Sequence, residues 1–306
     1  MQRKSSTMTK VKFWGVRGSI PVPGLQTLRY GGNTTCVEVR MDDQLFILDA
    51  GSGIRQLGNA LDAEFGSEPI KLSLLLTHPH WDHIQGLPFF APAYEAKNEI
   101  RVFGFDATHS SVTEMLTSQM SSPFFPINFK QLAGKISVHQ PDAMDFNVGT
   151  ARVRAKFLHH PGVCVGYRIY NGETSLAFLP DNEPLDAFFD RPGDYSSSDG
   201  RLKADPRAER AELVDFLRDA DLLILDSQYT DEEYAQRIGW GHGSLTSVVR
   251  LALDAGVKTL MLFHHDPNRA DDEIDHMLAV ARSVVAQAGG RLKIEAAAEG
   301  AELSIG

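Results

Sequence analysis

Cysteine is nearly missing from this chain: Cys36 and Cys164 are the only two in 306 residues. That excludes a cysteine-rich zinc site and gives no sign of a disulfide framework, so a reducing compartment is the natural setting. Long apolar runs are missing as well. Nowhere do eighteen apolar residues follow one another, and the start, MQRKSSTMTKVKFWG, has Lys and Arg without the apolar core of a signal peptide. A cytoplasmic protein with no membrane partner is therefore expected, with residues 1–9 a disordered leader and 10–306 a single domain. Positive charge is in short supply too: 30 Lys and Arg stand against 40 Asp and Glu, for a formal net charge of -10. A field of that sign repels polyanions, which leaves short RNA as the most nucleic acid the chain is expected to take. A small anionic substrate held by metal is less affected.

Short β-branched or apolar runs recur at Val11–Val16, Cys36–Arg40, Leu45–Leu48, Leu72–Leu76, Ile100–Phe103, Ile136–Val138, Ala151–Phe157, Val163–Tyr170, Leu176–Leu179, Leu222–Leu225 and Thr259–Phe263. These read as strands. Helical periodicity is best at Ile54–Ala63, Ser110–Gln119, Arg210–Asp219, Ser244–Ala255 and Asp271–Ala288, with Ser244 and Asp271 as capping residues. Strands come first and then alternate with helices, an order that suits an α/β sandwich of two sheets with helices outside. One stretch, Phe188–Pro206, is so rich in Pro, Gly, Ser and Asp that it reads as a long surface loop bordering Asp181.

Eight of the eleven histidines fall in four tight places: His78, His80 and His83; His159 and His160; His242; His264 and His265. Three of these places directly follow an apolar strand, as in LSLLLTHPH, RAKFLHH and TLMLFHH, so the sheets deliver imidazoles to one edge of the fold. LAFLPDNE delivers Asp181 in the same way. A lone histidine behind a strand is more often a satisfied buried group than a ligand, and PDNEP could be a plain turn. Four ionisable groups packed as THPHWDH, however, would repel one another or stay unsatisfied without a cation. Imidazoles with a few carboxylates are the ligand chemistry of zinc or a similar divalent metal, with manganese and iron sharing such ligands. In an extended turn His78 and His80 point the same way, whereas Asp82 and His83 begin a helix and face elsewhere, so two ions are expected, with Asp181 able to bridge. Two ions roughly 3.5 to 4 Å apart can generate hydroxide near neutral pH and stabilise both oxygens of a displacement.

THPHWDH resembles the HxHxDH motif of the metallo-β-lactamase superfamily, whose fold is a four-layer αββα sandwich. FILDAGSG is similar to that family's first motif, LHHPGVCVGYRI to its third, FLPD to its bridging aspartate and LMLFHHDP to its last histidine motif, so the likeness spans most of the chain. Carried over, the resemblance implies one metal on His78, His80 and His160, the other on Asp82, His83 and His264, with Asp181 shared and Asp49 supporting the loop without ligating. Each histidine doublet leaves a choice, of His159 against His160 and of His265 against His264. An aspartate at the bridging position argues against lactam hydrolysis, and His80 argues for zinc over iron.

FWGVRGSIPVPG, RYGGNTTCVEV, GYRI, LDSQYT and GHGS resemble the ribonuclease Z and cyclic-phosphate phosphodiesterase branch, in which an acidic residue and a distant histidine cooperate beside the metals. Here these would be Asp226 and His242. A histidine held by a carboxylate has the right tautomer and a raised pKa for protonating a leaving alkoxide. The family's tRNA arm, placed between the third-motif histidine and the bridging aspartate, has no room in the 21 positions from His160 to Asp181. The expectation is a dinuclear phosphodiesterase, with Asp82 among the catalytic groups, acting on a small or cyclic phosphodiester such as a cyclic nucleotide. Arg17, Asn33 and Thr34 are the candidate phosphate contacts. The alternatives are a carboxylic ester, lactone or thioester hydrolase on the same centre, or a ribonuclease. A homodimer is one of the open states, with the apolar LPFFAPAY as interface or substrate wall.

Overall fold

The computed structural model describes residues 8–106, 110–189 and 205–306. In chain order they form β1 (Thr9–Gly15), β2 (Cys36–Met41), β3 (Gln44–Leu48), α1 (Ile54–Phe65), β4 (Lys71–Leu75), α2 (Trp81–Ile84), β5 (Glu99–Phe103), α3 (Val112–Gln119) and β6 (Lys135–His139). Then come β7 (Asp145–Val148), β8 (Ala151–Phe157), β9 (Val165–Asn171), β10 (Thr174–Leu179), α4 (Pro206–Leu217), β11 (Leu222–Asp226), α5 (Asp231–Tyr234), α6 (Leu245–Asp254), β12 (Thr259–Phe263), α7 (Asp271–Gln287), β13 (Lys293–Ala296) and β14 (Glu302–Ile305). Two seven-stranded sheets result, in the orders β14-β1-β2-β3-β4-β5-β6 and β13-β12-β11-β10-β9-β8-β7. Both are mixed. Antiparallel pairing joins β1, β2 and β3, and parallel pairing then runs from β3 to β6.

The period of two along each strand explains the layering, because successive side chains go to opposite faces. In β3, Phe46 and Leu48 enter the core between the sheets while Leu45 and Ile47 enter an outer core under α1 and α3. In β11, Leu222 and Ile224 face the inner core while Leu223 and Leu225 pack under α4, α6 and α7. Apolar residues on both faces are why these strands read as unbroken runs. The architecture is the expected αββα sandwich.

Several local expectations need correction. β7, β13 and β14 were not legible, since DFNV, KIEA and ELSI are short, half-polar strands at or next to sheet edges. Thr9 is a buried strand residue paired with Ile305, so it is not part of the disordered leader expected over residues 1–9; residues 1–7 lie outside the described residues. Ser244 occupies an N-cap without a side-chain cap bond, and Asp271 is the first residue inside α7, where its carboxylate takes the Arg29 main-chain N–H instead. Of the stretch expected as a loop from Phe188 to Pro206, Phe188 closes a 3-10 turn and Pro206 opens α4, while 190–204 lie outside the described residues. LPFFAPAY is not an apolar surface. Leu87, Pro88, Phe90 and Ala93 are buried, and Phe89 is its exposed large apolar residue.

Candidate metal centre

β3, β4, β8, β10, β11 and β12 all finish at one edge of the sandwich, and the residue groups just beyond them meet there. Asp49 follows β3, His78 follows β4, His160 follows β8, Asp181 follows β10, Asp226 ends β11 and His264 follows β12. The turn after β4 holds His80 extended as N-cap of α2, whose first turn carries Asp82 and His83. Two of these residues, Asp49 and His264, have φ near 59°, a left-handed backbone that non-glycine residues adopt at a cost, as is common where a site imposes the geometry.

Ligand atoms of His78, His80, His160 and Asp181 lie within 4.8 Å of one another, as do those of Asp82, His83 and His264. Asp181 stands between the two sets: its Oδ2 is 3.7 Å from His78 Nε2 and 3.6 Å from His160 Nε2, and its Oδ1 is 3.0 Å from His83 Nε2 and 3.3 Å from His264 Nε2. Asp82 Oδ2 is 3.3 Å from His83 Nε2 and 3.1 Å from His264 Nε2. The donor set fits divalent cations. His78 Nε2, His83 Nε2 and Asp181 Oδ1 are buried without a hydrogen-bond partner, and His80 Nδ1 and His160 Nε2 face each other at 3.1 Å.

The outer hydrogen bonds fix which nitrogen faces inward. His83 Nδ1–H donates to Asp49 Oδ2 at 2.7 Å, His160 Nδ1–H to the Gly241 carbonyl at 2.8 Å and His264 Nδ1–H to Gln228 Oε1 at 2.9 Å. His78 Nδ1–H donates to Thr77 Oγ1 at 3.0 Å, and that hydroxyl donates to Asp49 Oδ2 at 2.8 Å. One buried carboxylate therefore orients a histidine from each set, directly and through Thr77. Such partners hold ligand orientation and basicity. Burial pushes His160 down to about 3, so it stays neutral and keeps a lone pair. Burial alone would raise the Asp181 carboxyl, but the surrounding histidines, His264 and His83 foremost, outweigh it and hold it well below the usual carboxylate range.

The two doublets divide cleanly. His160 and His264 join the cluster, whereas His159 turns its ring edge-on to Phe188 and His265 places Nε2 2.9 Å from the Ala297 carbonyl. His242 Nδ1 is 3.0 Å from Asp226 Oδ2 and 3.7 Å from Asp181 Oδ2. Burial lowers its pKa, but Asp226, Asp181 and Asp82 together push it up to about 9.

The three expected phosphate contacts lie elsewhere. Arg17 is fully buried, donates to the carbonyls of Gly31, Asp266 and Arg269, and pairs with Asp271 at 3.7 Å. Thr34 is fully buried, its hydroxyl accepting from Ser52 N–H and Gln85 Nε2. Asn33 is tied to Glu299 and Ser52. Their polarity serves the packing of the opening loops. The contribution those loops do make is Ser19, whose main-chain N–H donates to Asp82 Oδ2 at 2.7 Å.

Gln228 and Glu183 were missed by sequence reasoning. Each sits two residues after a site aspartate, Asp226 and Asp181, and that spacing in extended chain was the available signal. Glu183 is buried and accepts Gly239 N–H at 2.6 Å, Tyr234 O–H at 2.9 Å and Gly241 N–H at 3.0 Å, fixing the loop that carries His242.

Residues 45–194 match the model of the β-lactamase superfamily domain, a stretch that includes Asp49, the THPHWDH turn, His160 and Asp181. Over this stretch the chain resembles the metallo-β-lactamase superfamily. Among its relatives is the ribonuclease Z of Haloferax volcanii, 25% identical over 321 residues that cover 93% of this chain and 95% of that protein. The ribonuclease Z of Thermoplasma acidophilum is 22% identical over 290 residues, covering 87% and 89%. Three solved structures share the metallo-β-lactamase fold. YhfI from Bacillus subtilis has a TM-score of 0.64 at 18% identity, covering 98% of this chain and 100% of that one. The short form of human tRNase Z has a TM-score of 0.61 at 17%, covering 97% and 99%. A diphosphatase of the PhnP family has a TM-score of 0.61 at 17%, covering 97% and 98%. Like them in fold, this chain is a metal-dependent hydrolase, with a His/Asp cluster suited to divalent ions. No helix among the described residues is long and apolar enough to cross a membrane.

Proposed function

We propose that this hydrolase is a phosphodiesterase for small or cyclic phosphodiesters, holding two zinc ions on His78, His80, His160, Asp82, His83 and His264 with Asp181 shared. The observation that carries this reading is the His242–Asp226 pair, 3.0 Å apart and set beside Asp181. Carbonyl hydrolysis on such a centre has less need of a dedicated proton donor than a phosphodiester, whose poor alkoxide leaving group must be protonated. Asp226 takes the Nδ1 proton of His242, so Nε2 is the nitrogen left to give a proton to a departing oxygen. A pKa near 9 keeps that proton on at neutral pH. Bound divalent cations would supply water activation and neutralise charge at phosphorus.

Substrate size is read from what stands between His160 and Asp181. That interval holds the β9–β10 hairpin, closed at Gly172, and a projecting arm has no residues to be made from. With a net charge of -10, this favours a small anion over a folded RNA. A second reading, a ribonuclease for short RNA, is favoured by the names of the relatives in Haloferax volcanii and Thermoplasma acidophilum.

The test is a substrate panel with zinc- or manganese-loaded protein: bis(p-nitrophenyl) phosphate and cyclic nucleotides against short RNA, a lactone and a thioester. The phosphodiesterase reading expects turnover of the first pair to exceed the rest. Faster lactone or thioester hydrolysis would overturn it, and a preference for RNA would establish the second reading.

A further inference from the structure

A row of side chains leads outward from His242. The Tyr229 ring stands edge-on to the His242 imidazole with centroids 5.9 Å apart. The Arg237 guanidinium lies 5.0 Å from the Tyr229 ring centroid and, further along, 5.9 Å from that of Trp240. Tyr229 is buried, whereas the indole at the far end is 60% exposed. A large apolar ring left in water beside a catalytic centre costs solvation free energy unless something covers it in use.

The main chain on both sides of Trp240 is also hydrogen-bonded in place. Its two neighbours, Gly239 and Gly241, have φ of 90° and 86° and each gives its main-chain N–H to the same buried carboxylate, Glu183. The Trp240 N–H itself donates to the Arg237 carbonyl at 3.0 Å. Gly241 could not be replaced freely, since a Cβ there would meet Pro161 Cδ at 2.3 Å and His160 Nδ1 at 2.4 Å. The indole is thus presented from a backbone that touches a metal-set histidine on one side and carries His242 on the other.

The charge beneath the indole points the same way. Arg237 Nη1 donates to the Glu233 main-chain carbonyl at 3.0 Å, and no carboxylate lies within 4.0 Å of its guanidinium among the described residues. The Glu233 carboxylate is bound to Arg269 and to the Thr230 N–H, and the more distant charge of Arg237 adds to the lowering of its pKa. In a chain of net charge -10, an Arg next to the site with no carboxylate within 4.0 Å among the described residues is a place for an anion. Trp81 is more exposed, at 78%, but no cation lies against its ring among the described residues.

We propose that Trp240 and Arg237 form a nucleotide subsite, with the base of a nucleoside phosphodiester stacked on the indole and the guanidinium contacting its anionic part. This rests on the phosphodiesterase reading and narrows it to substrates that carry a base. Every base has a π-face, so stacking of this kind tolerates sequence and selects for aromatic character.

The experiment compares 2′,3′-cyclic AMP with a base-free cyclic phosphodiester, glycerol 1,2-cyclic phosphate, in wild type, Trp240→Ala, Trp240→Phe and Arg237→Gln. The ratio of kcat/KM values, nucleotide over base-free, is expected to fall about 5- to 150-fold in Trp240→Ala, to be largely kept in Trp240→Phe, and to move through KM. Calorimetric binding of AMP and ribose 5-phosphate gives a readout that does not need turnover, and AMP is expected to bind at least fivefold tighter to wild type but not to Trp240→Ala. An unchanged ratio in a folded Trp240→Ala protein, or equal affinity of wild type for the two ligands, would overturn the subsite. Should the protein hydrolyse lactones and no phosphodiester, the functional reading falls, and the binding arm alone then decides the subsite.

Discussion

Glu183 Oε2 accepts the main-chain N–H of Gly241 at 3.0 Å, joining the segment that follows Asp181 to the loop that carries His242. The same Gly241 offers its carbonyl to His160 Nδ1–H at 2.8 Å. His160 and Asp181, the proposed ligands, and His242, the proposed proton donor, are therefore tied together through one peptide and one carboxylate.

Replacing Glu183 by Ala strands two main-chain N–H groups and the Tyr234 hydroxyl, each left unpaired at a cost of about 1–3 kcal/mol. The variant is expected to lose several kcal/mol of stability in urea denaturation, with metal content and turnover falling together. Glu183→Gln keeps one acceptor oxygen and should lie between. A Glu183→Ala protein with full metal content and wild-type turnover would show that the loop holds itself.

Asp49→Asn tests the carboxylate that serves both ligand sets. The amide cannot accept from both His83 and Thr77 as the carboxylate does, so orientation is weakened on each side. Metal affinity measured by competition with a chelator is expected to fall about 10- to 100-fold, the usual loss for such a partner. Loss of one ion with retention of the other would mean that Thr77 orients His78 without Asp49.

His242→Ala separates proton donation from metal binding. Turnover of a dialkyl phosphodiester is expected to fall about 100- to 10,000-fold, while a p-nitrophenyl ester, whose leaving group needs no proton, loses far less. Metal content should not change. Equal losses on the two esters would remove His242 from the role of acid.

His265 gives the chain an acid-sensitive element. Burial pushes its pKa down to about 3 from the ordinary 6.5, while its ring nitrogen is held by the Ala297 carbonyl. The unfolded chain takes up this proton near pH 6.5 and the folded chain only near 3, so between these values the unfolded state binds more protons and stability falls as pH falls. Between pH 7 and 5 wild type is expected to lose about 2 kcal/mol more than His265→Gln in urea denaturation. Parallel curves for the two proteins would show that His265 protonates without unfolding.

Much of this molecule can be read along the chain because the physics there is local. Short apolar or β-branched runs marked eleven of the strands, and four metal-seeking groups within six positions have no comfortable arrangement without a cation. Half-polar strands such as DFNV and ELSI carry too little periodicity to stand out, and they form because a neighbouring strand offers a ladder.

Sequence by itself determined the layered fold, the metal-seeking turn at Thr77–His83 and the edge of the sheets at which histidines collect. Tertiary structure decided which member of each histidine doublet turns inward, since adjacent residues differ only in direction and the Gly241 carbonyl and Gln228 select between them. It also decided that Arg17 and Thr34 serve packing, because a polar residue in a loop has no preference between a ligand and a neighbouring carbonyl until the chain closes over it. The outward row from His242 to Trp240 joins residues within 229–242 through ring contacts that no spacing rule encodes.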